Sequence, residues 1–291
     1  MSMTPGDRTA ARRFFERSAD NYEQHAVLQR EIGSRLLERV DFRRYEPAVV
    51  LDMGCATGTA SLSLAGQFPD ARVISLDWSS AMLAGIEPGD GGALGVCADM
   101  HHLPLASASV DLVFSNLAIS WGWDVPAIFR ELRRIMRPGA MLVFTCFGPD
   151  TLIELSSAWR QLSKNPRVQN FPDMHDVGDE LVRAGFREPV MDAERLVLEY
   201  PDLPSMLGEL HATGISIIAG EELQDVIQGA KSEKVAEAYE LYRNGGRYPA
   251  NFEVIYGTAF APEEGQPVKT PEGDVASFSV EALRAKSRKK V

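Results

Sequence analysis

Residues 48–58 read AVVLDMGCATG, an apolar run of strand length, Ala48 to Met53, that passes through a turn of small residues and straight into the helical stretch Thr59 to Gln67. Asp52, Gly54, Ala56 and Gly58 follow the spacing acidic-x-Gly-x-small-x-Gly. Small side chains let the backbone turn tightly and let a ligand approach the main chain at the carboxyl end of a sheet, where open α/β folds bind their ligands. By itself the run fits a dinucleotide site, a site for another nucleoside cofactor, or a bare tight turn. The Gly-x-Gly-x-x-Gly spacing of dinucleotide enzymes is absent.

Working outward, four more near-continuous apolar runs read as strands buried on both faces: Arg72 to Asp77, Leu94 to Ala98, Val110 to Ser115 and Met141 to Phe147. Helical spacing fills the gaps at Ser79 to Gly85 and Val125 to Met136, where Ile128, Leu132, Ile135 and Met136 recur on one face. This βαβ series predicts an open parallel sheet with helices on both sides. Ahead of it, Arg8 to Phe15 and Ala26 to Val40 are predicted helices that pack on the sheet or cover its ligand. Behind it come a helix and loop over 148–175, a helix over Val177 to Ala184, a strand over Pro189 to Tyr200, helices between Pro204 and Asn244, and a last strand over Phe252 to Phe260. The late strand pair predicts an antiparallel edge, and the compositions of 86–93 and 262–275 read as loops. The expected organisation is one structural domain: a helical cap over 1–47, a core over 48–147, a lid with the end of the sheet over 148–276, and a basic tail over 277–291.

With 291 residues, 45% of them apolar, the chain can bury a large core. Its formal charge of −11 has the wrong sign for wrapping nucleic acid, so that role is excluded as the main task. No apolar stretch has the length of a membrane helix, and the Arg-containing start lacks the apolar centre of a targeting peptide. Cys55, Cys97 and Cys146 lie far apart with no CxxC pair, which removes disulfide and zinc frameworks and fits a reducing cytoplasm.

The region from Asp52 to Gly58 resembles motif I of class I S-adenosylmethionine-dependent methyltransferases, with Ala56 in place of the usual middle glycine. Later elements fall in register with that family. Asp77 closes the second strand, where the resemblance implies a carboxylate accepting hydrogen bonds from both ribose hydroxyls; a strand-end Asp also reads as a helix N-cap. Trp78 would lie against adenine. Asp99 and Met100, after the third strand, would bind the adenine edge, and Asn116 would abut the methionine end. Arg137-Pro138-Gly139 resembles the family's turn before strand five. The implied fold is a Rossmann-like, mostly parallel seven-stranded sheet with an N-terminal helical cap and helical lid insertions.

The flanks narrow the acceptor. Phe14 to Gln29, Phe144 to Leu152, Phe171 to Pro189 and Ala250 to Phe260 together are similar to the malonyl-acyl carrier protein O-methyltransferases of biotin synthesis, over nearly the whole chain. Departures are Ala250-Asn251-Phe252-Glu253, where the family tends to Ala-Thr-Tyr-Glu, and the Lys/Arg-rich tail. The implied reaction methylates the free carboxylate of a malonyl thioester on acyl carrier protein, in a monomeric enzyme that uses no metal. A malonyl carboxylate is already ionised at pH 7, so the chemistry needs alignment and exclusion of water rather than a base.

From these positions Tyr22 is a candidate to orient the carboxylate or the methionine end, and Phe147 to wall the methyl path; both also fit ordinary packing. Trp121 is a candidate pocket wall, with Trp123 either beside it or packing the next helix, and Arg247 a candidate counter-ion for the substrate carboxylate. His101 and His102 read as structural, Cys55 lacks a His partner for nucleophilic work, and Asp173 and Asp176 around His175 read as a helix start. Other readings of the same core are another carboxyl or quinone methyltransferase, or an assembly factor or hydroxylase of methyltransferase fold. Because acyl carrier protein is acidic, docking is expected at a basic end of the chain, Arg8, Arg12 and Arg13 or the cluster from Arg284 to Lys290.

Overall fold

The computed structural model of the chain describes residues 5–39, 45–86, 93–162, 171–215, 232–270 and 273–276; the basic tail at 277–291 lies outside them. Helices α1 (Pro5–His25) and α2 (Val27–Arg39) come first. The predicted break between them shrinks to Ala26, whose N–H donates to Tyr22 at 2.9 Å and whose carbonyl accepts from Arg30 at 3.0 Å. The βαβ series then runs β1 (Val49–Met53), α3 (Thr59–Gln67), β2 (Arg72–Asp77), α4 (Ser80–Leu83), β3 (Leu94–Cys97), β4 (Val110–Ser115), α5 (Val125–Ile135) and β5 (Met136–Phe147). After it come α6 (Ile153–Leu162), α7 (Met174–Arg183), β6 (Arg187–Tyr200), α8 (Leu203–Ala212), α9 (Ser232–Tyr239) and β7 (Tyr248–Phe260).

These strands form one seven-stranded sheet in the order β3-β2-β1-β4-β5-β7-β6. Strands β1 to β5 are parallel, and β7 and β6 add the antiparallel edge. Successive residues go to opposite faces, as the period of two requires. Val50, Val73, Leu112 and Val143 pack with α2, α3 and α8, whereas Leu51, Ile74, Val113 and Leu142 pack with α5 and α7. Strands β1, β2, β4 and β5 are therefore apolar on both sides, which is why each reads as an unbroken apolar run; β3 departs from the expectation of two-sided burial, because it is the edge strand and exposes Leu94, Gly95 and Cys97. The α5 helix starts at Asp124, whose carboxylate accepts from the Ala127 N–H at 2.9 Å, and it buries Ile128, Phe129, Leu132 and Ile135.

Two local readings change. Arg137-Pro138-Gly139 lies inside β5, not in a turn: the ladder to β4 shifts register between Val110 and Leu112, and Gly139, at φ +75°, donates to Ala261 at 3.1 Å. This irregularity lengthens the strand. The stretch 262–275 contains a hairpin, β8 (Pro267–Thr270) with β9 (Gly273–Ala276), rather than loop alone.

The α2 helix is strapped to the antiparallel edge. Arg35 pairs with Glu194, and Arg39 pairs with Asp192 and Glu194 while its guanidinium sits 3.9 Å over the Tyr256 ring. This holds the cap over the carboxyl ends of the strands.

Candidate functional site

The turn after β1 has three left-handed residues, Gly54 at φ +75°, Ala56 at +48° and Gly58 at +89°. The N–H groups of Gly54 and Cys55 both donate to Leu76, at 2.7 and 3.0 Å, so the turn folds against the end of β2. A Cβ on Gly54 would lie 2.2 Å from Ala118 Cβ, which leaves no room for any side chain there.

Asp52 is buried beneath this turn. Ser61 Oγ donates to it at 2.6 Å, and Ser75 Oγ lies 2.7 Å from Ser61 Oγ, tying β1 and β2 to α3. Burial pushes its carboxyl up to about 7, against the Ser61 hydrogen bond. Asp77 accepts from the Ala56 N–H at 3.0 Å through one oxygen and from the Ser79 N–H at 2.9 Å through the other. Burial raises it to about 6, against these donors. Its carboxylate also faces the cavity, where it is placed to accept from a ligand hydroxyl.

Asp99 follows β3. Although desolvation opposes it, two hydrogen bonds from His101, N–H at 2.9 Å and Nδ1 at 2.7 Å, hold its carboxyl below the usual range. The His101 ring in turn stacks on Trp123, 3.5 Å between centroids. Both therefore serve to shape the loop that carries Asp99. Asn116 lies beyond β4 with its amide used at both ends: Nδ2 donates to the Gln29 carbonyl at 2.7 Å, and Oδ1 accepts from Thr145 at 2.8 Å. It fastens α2 to the ends of β4 and β5.

Over these strand ends lies a cavity of about 370 Å³, within the size range of small-molecule sites. Asp52, Gly54, Ala56, Asp77, Trp78, Asp99, Met100, Asn116, Trp121, Tyr22 and Phe147 all line it. Gly58 stands just outside the lining, where a Cβ would meet Ile86 at 2.9 Å. Phe147 also packs on Phe252 and Phe171, 5.9 and 5.5 Å between centroids. Arg247 is not brought in: it is exposed beside the start of β7 and donates to the Glu199 carbonyl at 3.3 Å. Asp173 caps α7 through the His175 N–H at 2.8 Å, and among the described residues no group of three potential ligands could hold a metal.

The roof holds residues that motif reading passed over. Besides Tyr22, which the sequence already offered, Phe15, Ala26, Gln29, Gly33 and Leu37 face the cavity from α1, α2 and the residue between them at helical spacing, which is the signal that could have found them. Phe15 meets Trp121 edge-on at 4.8 Å. Glu16 accepts from the Ser80 and Ala81 N–H groups, each at 3.0 Å, at the start of α4, and Glu23 accepts from the hydroxyls of Thr57 and Thr59. Burial pushes the Tyr22 hydroxyl pKa up, with Asp77 and Glu23 adding to it, so Tyr22 remains a protonated donor.

A family profile described as a methyltransferase domain matches residues 51–144. The phosphoethanolamine N-methyltransferase 2 of Haemonchus contortus, solved with S-adenosyl-L-methionine, superposes with a TM-score of 0.51 at 18% identity, over 79% of this chain and 52% of that one. That likeness supports the fold. Closer kinship comes from curated sequences. The malonyl-acyl carrier protein O-methyltransferase of Gallionella capsiferriformans is 42% identical over 88% of this chain and 91% of its own, and that of Halorhodospira halophila is 38% identical over 98% and 100%. Kinship of this depth and length, on a fold whose cavity sits where class I enzymes bind their cofactor, places the chain in the malonyl-acyl carrier protein O-methyltransferase family.

Proposed function

We propose that the protein transfers a methyl group from S-adenosylmethionine to the free carboxylate of malonyl-acyl carrier protein, giving the malonyl methyl ester used in biotin synthesis. The observation that carries this reading is the make-up of the cavity. Among its described lining residues there is no His or Lys, and Arg30, its one cation, is paired with Glu23 at 3.3 Å. Its remaining ionisable acids, Asp52, Asp77, Asp99 and Glu23, are engaged in turn by donors from Ser61, from Ala56 and Ser79, from His101 and from Thr59, and the site suits an acceptor that is already anionic at pH 7 and needs no base.

The residues fit the cofactor. Asp77 is an acceptor-only carboxylate in the cavity wall, suited to vicinal ribose hydroxyls, and the Gly54–Gly58 turn leaves its main chain open to close approach. Asp99 and Met100 would take the adenine edge and Trp78 its face. When bound, S-adenosylmethionine supplies a methyl carbon whose bond to sulfur breaks, the electron pair going to sulfur, as a carboxylate oxygen bonds to it. Phe147, Phe15 and Trp121 keep water from that oxygen, which otherwise solvates the anion and blunts it. The Tyr22 hydroxyl donates without being able to act as a base at neutral pH.

Incubation of the protein with S-adenosylmethionine and malonyl-acyl carrier protein is expected to yield the malonyl methyl ester and S-adenosylhomocysteine in equal amounts. Turnover of free small acids with none of the carrier-linked substrate would overturn the reading. Restoration of growth without biotin in a strain lacking its own methyltransferase tests the same acceptor in the cell.

A further inference from the structure

The His101 ring is buried and makes one hydrogen bond among the described residues, from Nδ1 to Asp99 Oδ1 at 2.7 Å. The Asp99 carboxyl, held below its usual range, is ionised at pH 7 and only accepts, so Nδ1 carries the ring proton. The other ring nitrogen, Nε2, is buried without a partner. An unpaired buried polar atom is destabilising, and the stack on Trp123 needs no nitrogen, since a phenyl ring would pack there without that loss. What the imidazole adds is its bond to Asp99.

The path of the loop does not depend on that bond alone. The main chain beyond Asp99 is fastened to α5: the Leu103 N–H donates to Glu131 at 3.0 Å, and Arg134 donates to the Leu105 and Leu103 carbonyls at 2.8 and 2.9 Å. From α1, Arg8 lays its guanidinium 3.8 Å over the Trp123 ring, so the cap adds to the same stack.

Both hydrogen bonds to Asp99, from the His101 N–H and from Nδ1, fall on Oδ1. Oδ2 takes none among the described residues, and the side chain, 40% exposed, lines the cavity. The last torsion of an Asp is broad when the carboxylate is held loosely, and two donors on one oxygen narrow it. The second oxygen then presents its lone pairs in one direction. We infer that His101 is a positioning residue: by holding Oδ1 of Asp99 it aims Oδ2 at the 6-amino group of the cofactor's base and sets the preference for adenine over a 6-oxo purine. An acceptor-only oxygen gains a hydrogen bond from the amine, whereas a carbonyl in its place leaves lone pairs facing lone pairs. The inference rests on the assignment of Asp99 to the adenine edge made above.

The test measures by calorimetry the affinity of the full chain for S-adenosylhomocysteine and for S-inosylhomocysteine, its 6-oxo analogue. His101→Phe keeps the stack and removes the ring donor, and His101→Leu is a second variant without that donor should the first not fold. His101→Asn restores a donor near the place of Nδ1. The expected result is that the preference for the adenine compound falls about 10-fold in His101→Phe and His101→Leu, the scale of one charged hydrogen bond. The loss should come from weaker S-adenosylhomocysteine binding, with S-inosylhomocysteine within about twofold of its wild-type affinity, and His101→Asn should recover most of the preference. An unchanged preference in the donor-free variants overturns the inference, and so does an equal loss of both ligands, which is what a merely structural ring would give. Asp99→Ala separates the two levels of the argument. If it keeps the wild-type preference, the adenine-edge assignment falls and the inference with it; if it loses the preference while His101→Phe keeps it, only the role of His101 falls.

Discussion

The floor and the roof of the cavity are built by different means. The floor, β1 to β4 with their turns, places Asp52, Asp77, Asp99 and Asn116 at consecutive strand ends, and its contacts are mostly between a side chain and backbone a few residues away or on the adjoining strand. The roof, α1 and α2, reaches the floor only through long-range contacts: Glu16 to α4, Glu23 to Thr57 and Thr59, Gln29 to Asn116, and the arginine straps to β6. Floor residues are set by turn chemistry and cannot move singly. Roof residues can be altered without undoing a turn, so effects there should fall on ligand exchange rather than on folding.

The largest break in this contrast is Gly54→Ala. A Cβ 2.2 Å from Ala118, at a φ of +75°, should cost about 2–4 kcal/mol of stability and remove S-adenosylhomocysteine binding, read by thermal unfolding and calorimetry. Next, Asp77→Ala should lower S-adenosylhomocysteine affinity by about 1.5–3 kcal/mol for each hydroxyl released; unchanged affinity would remove Asp77 from the cofactor site. Phe147→Leu should slow turnover several-fold while S-adenosylhomocysteine binding stays near wild type, and equal loss of both would make Phe147 core alone.

In the roof, Glu16→Gln together with Glu23→Gln should speed S-adenosylhomocysteine release in stopped-flow with little change in melting temperature. A large drop in melting temperature would mean that α1 is part of the floor's folding unit.

A pH effect sharpens the same contrast. Asp52 and Asp77 have pKa values of about 7 and about 6 in the folded protein against the usual 3.8. The folded state holds more protons than the unfolded chain across that window, so the contribution of these two groups to stability is greatest below about pH 4 and declines as pH rises through 6 to 7. Urea midpoints at pH 5 and pH 8 should fall further apart in the wild type than in Asp52→Asn, whose amide does not titrate. The smallest expected effect is Arg247→Ala, for which malonyl-acyl carrier protein KM should stay near the wild-type value because the side chain stands outside the cavity.

Much of the floor was legible because β1, β2 and β4, buried on both faces, leave unbroken apolar runs, and the residues at the ends of those runs stand at the cavity; β3 reads the same way in the sequence although it is an exposed edge. The bulge at Gly139 was not, since an Arg-Pro-Gly sequence reads as a turn until the ladder to Ala261 is seen. Asn116 was placed correctly over β4, yet its amide is spent on Gln29 and Thr145, so it acts by holding the roof down. Arg247 shows the reverse case: a chemically suitable side chain, exposed just ahead of β7 and outside the cavity lining.

By itself the sequence determined which segments of the parallel half are strands, the tight turn at Gly54 and the acidic strand ends, because turn conformation and apolar runs depend on residues close along the chain; the order of the strands came from the tertiary structure. Only the tertiary structure decided which face of α1 and α2 covers the cavity, that the Gln29 backbone is fastened to Asn116, and that Arg30 is paired with Glu23. Those outcomes depend on where two helices settle against strands far along the chain. An amphipathic pattern names the buried face of a helix without naming what that face meets.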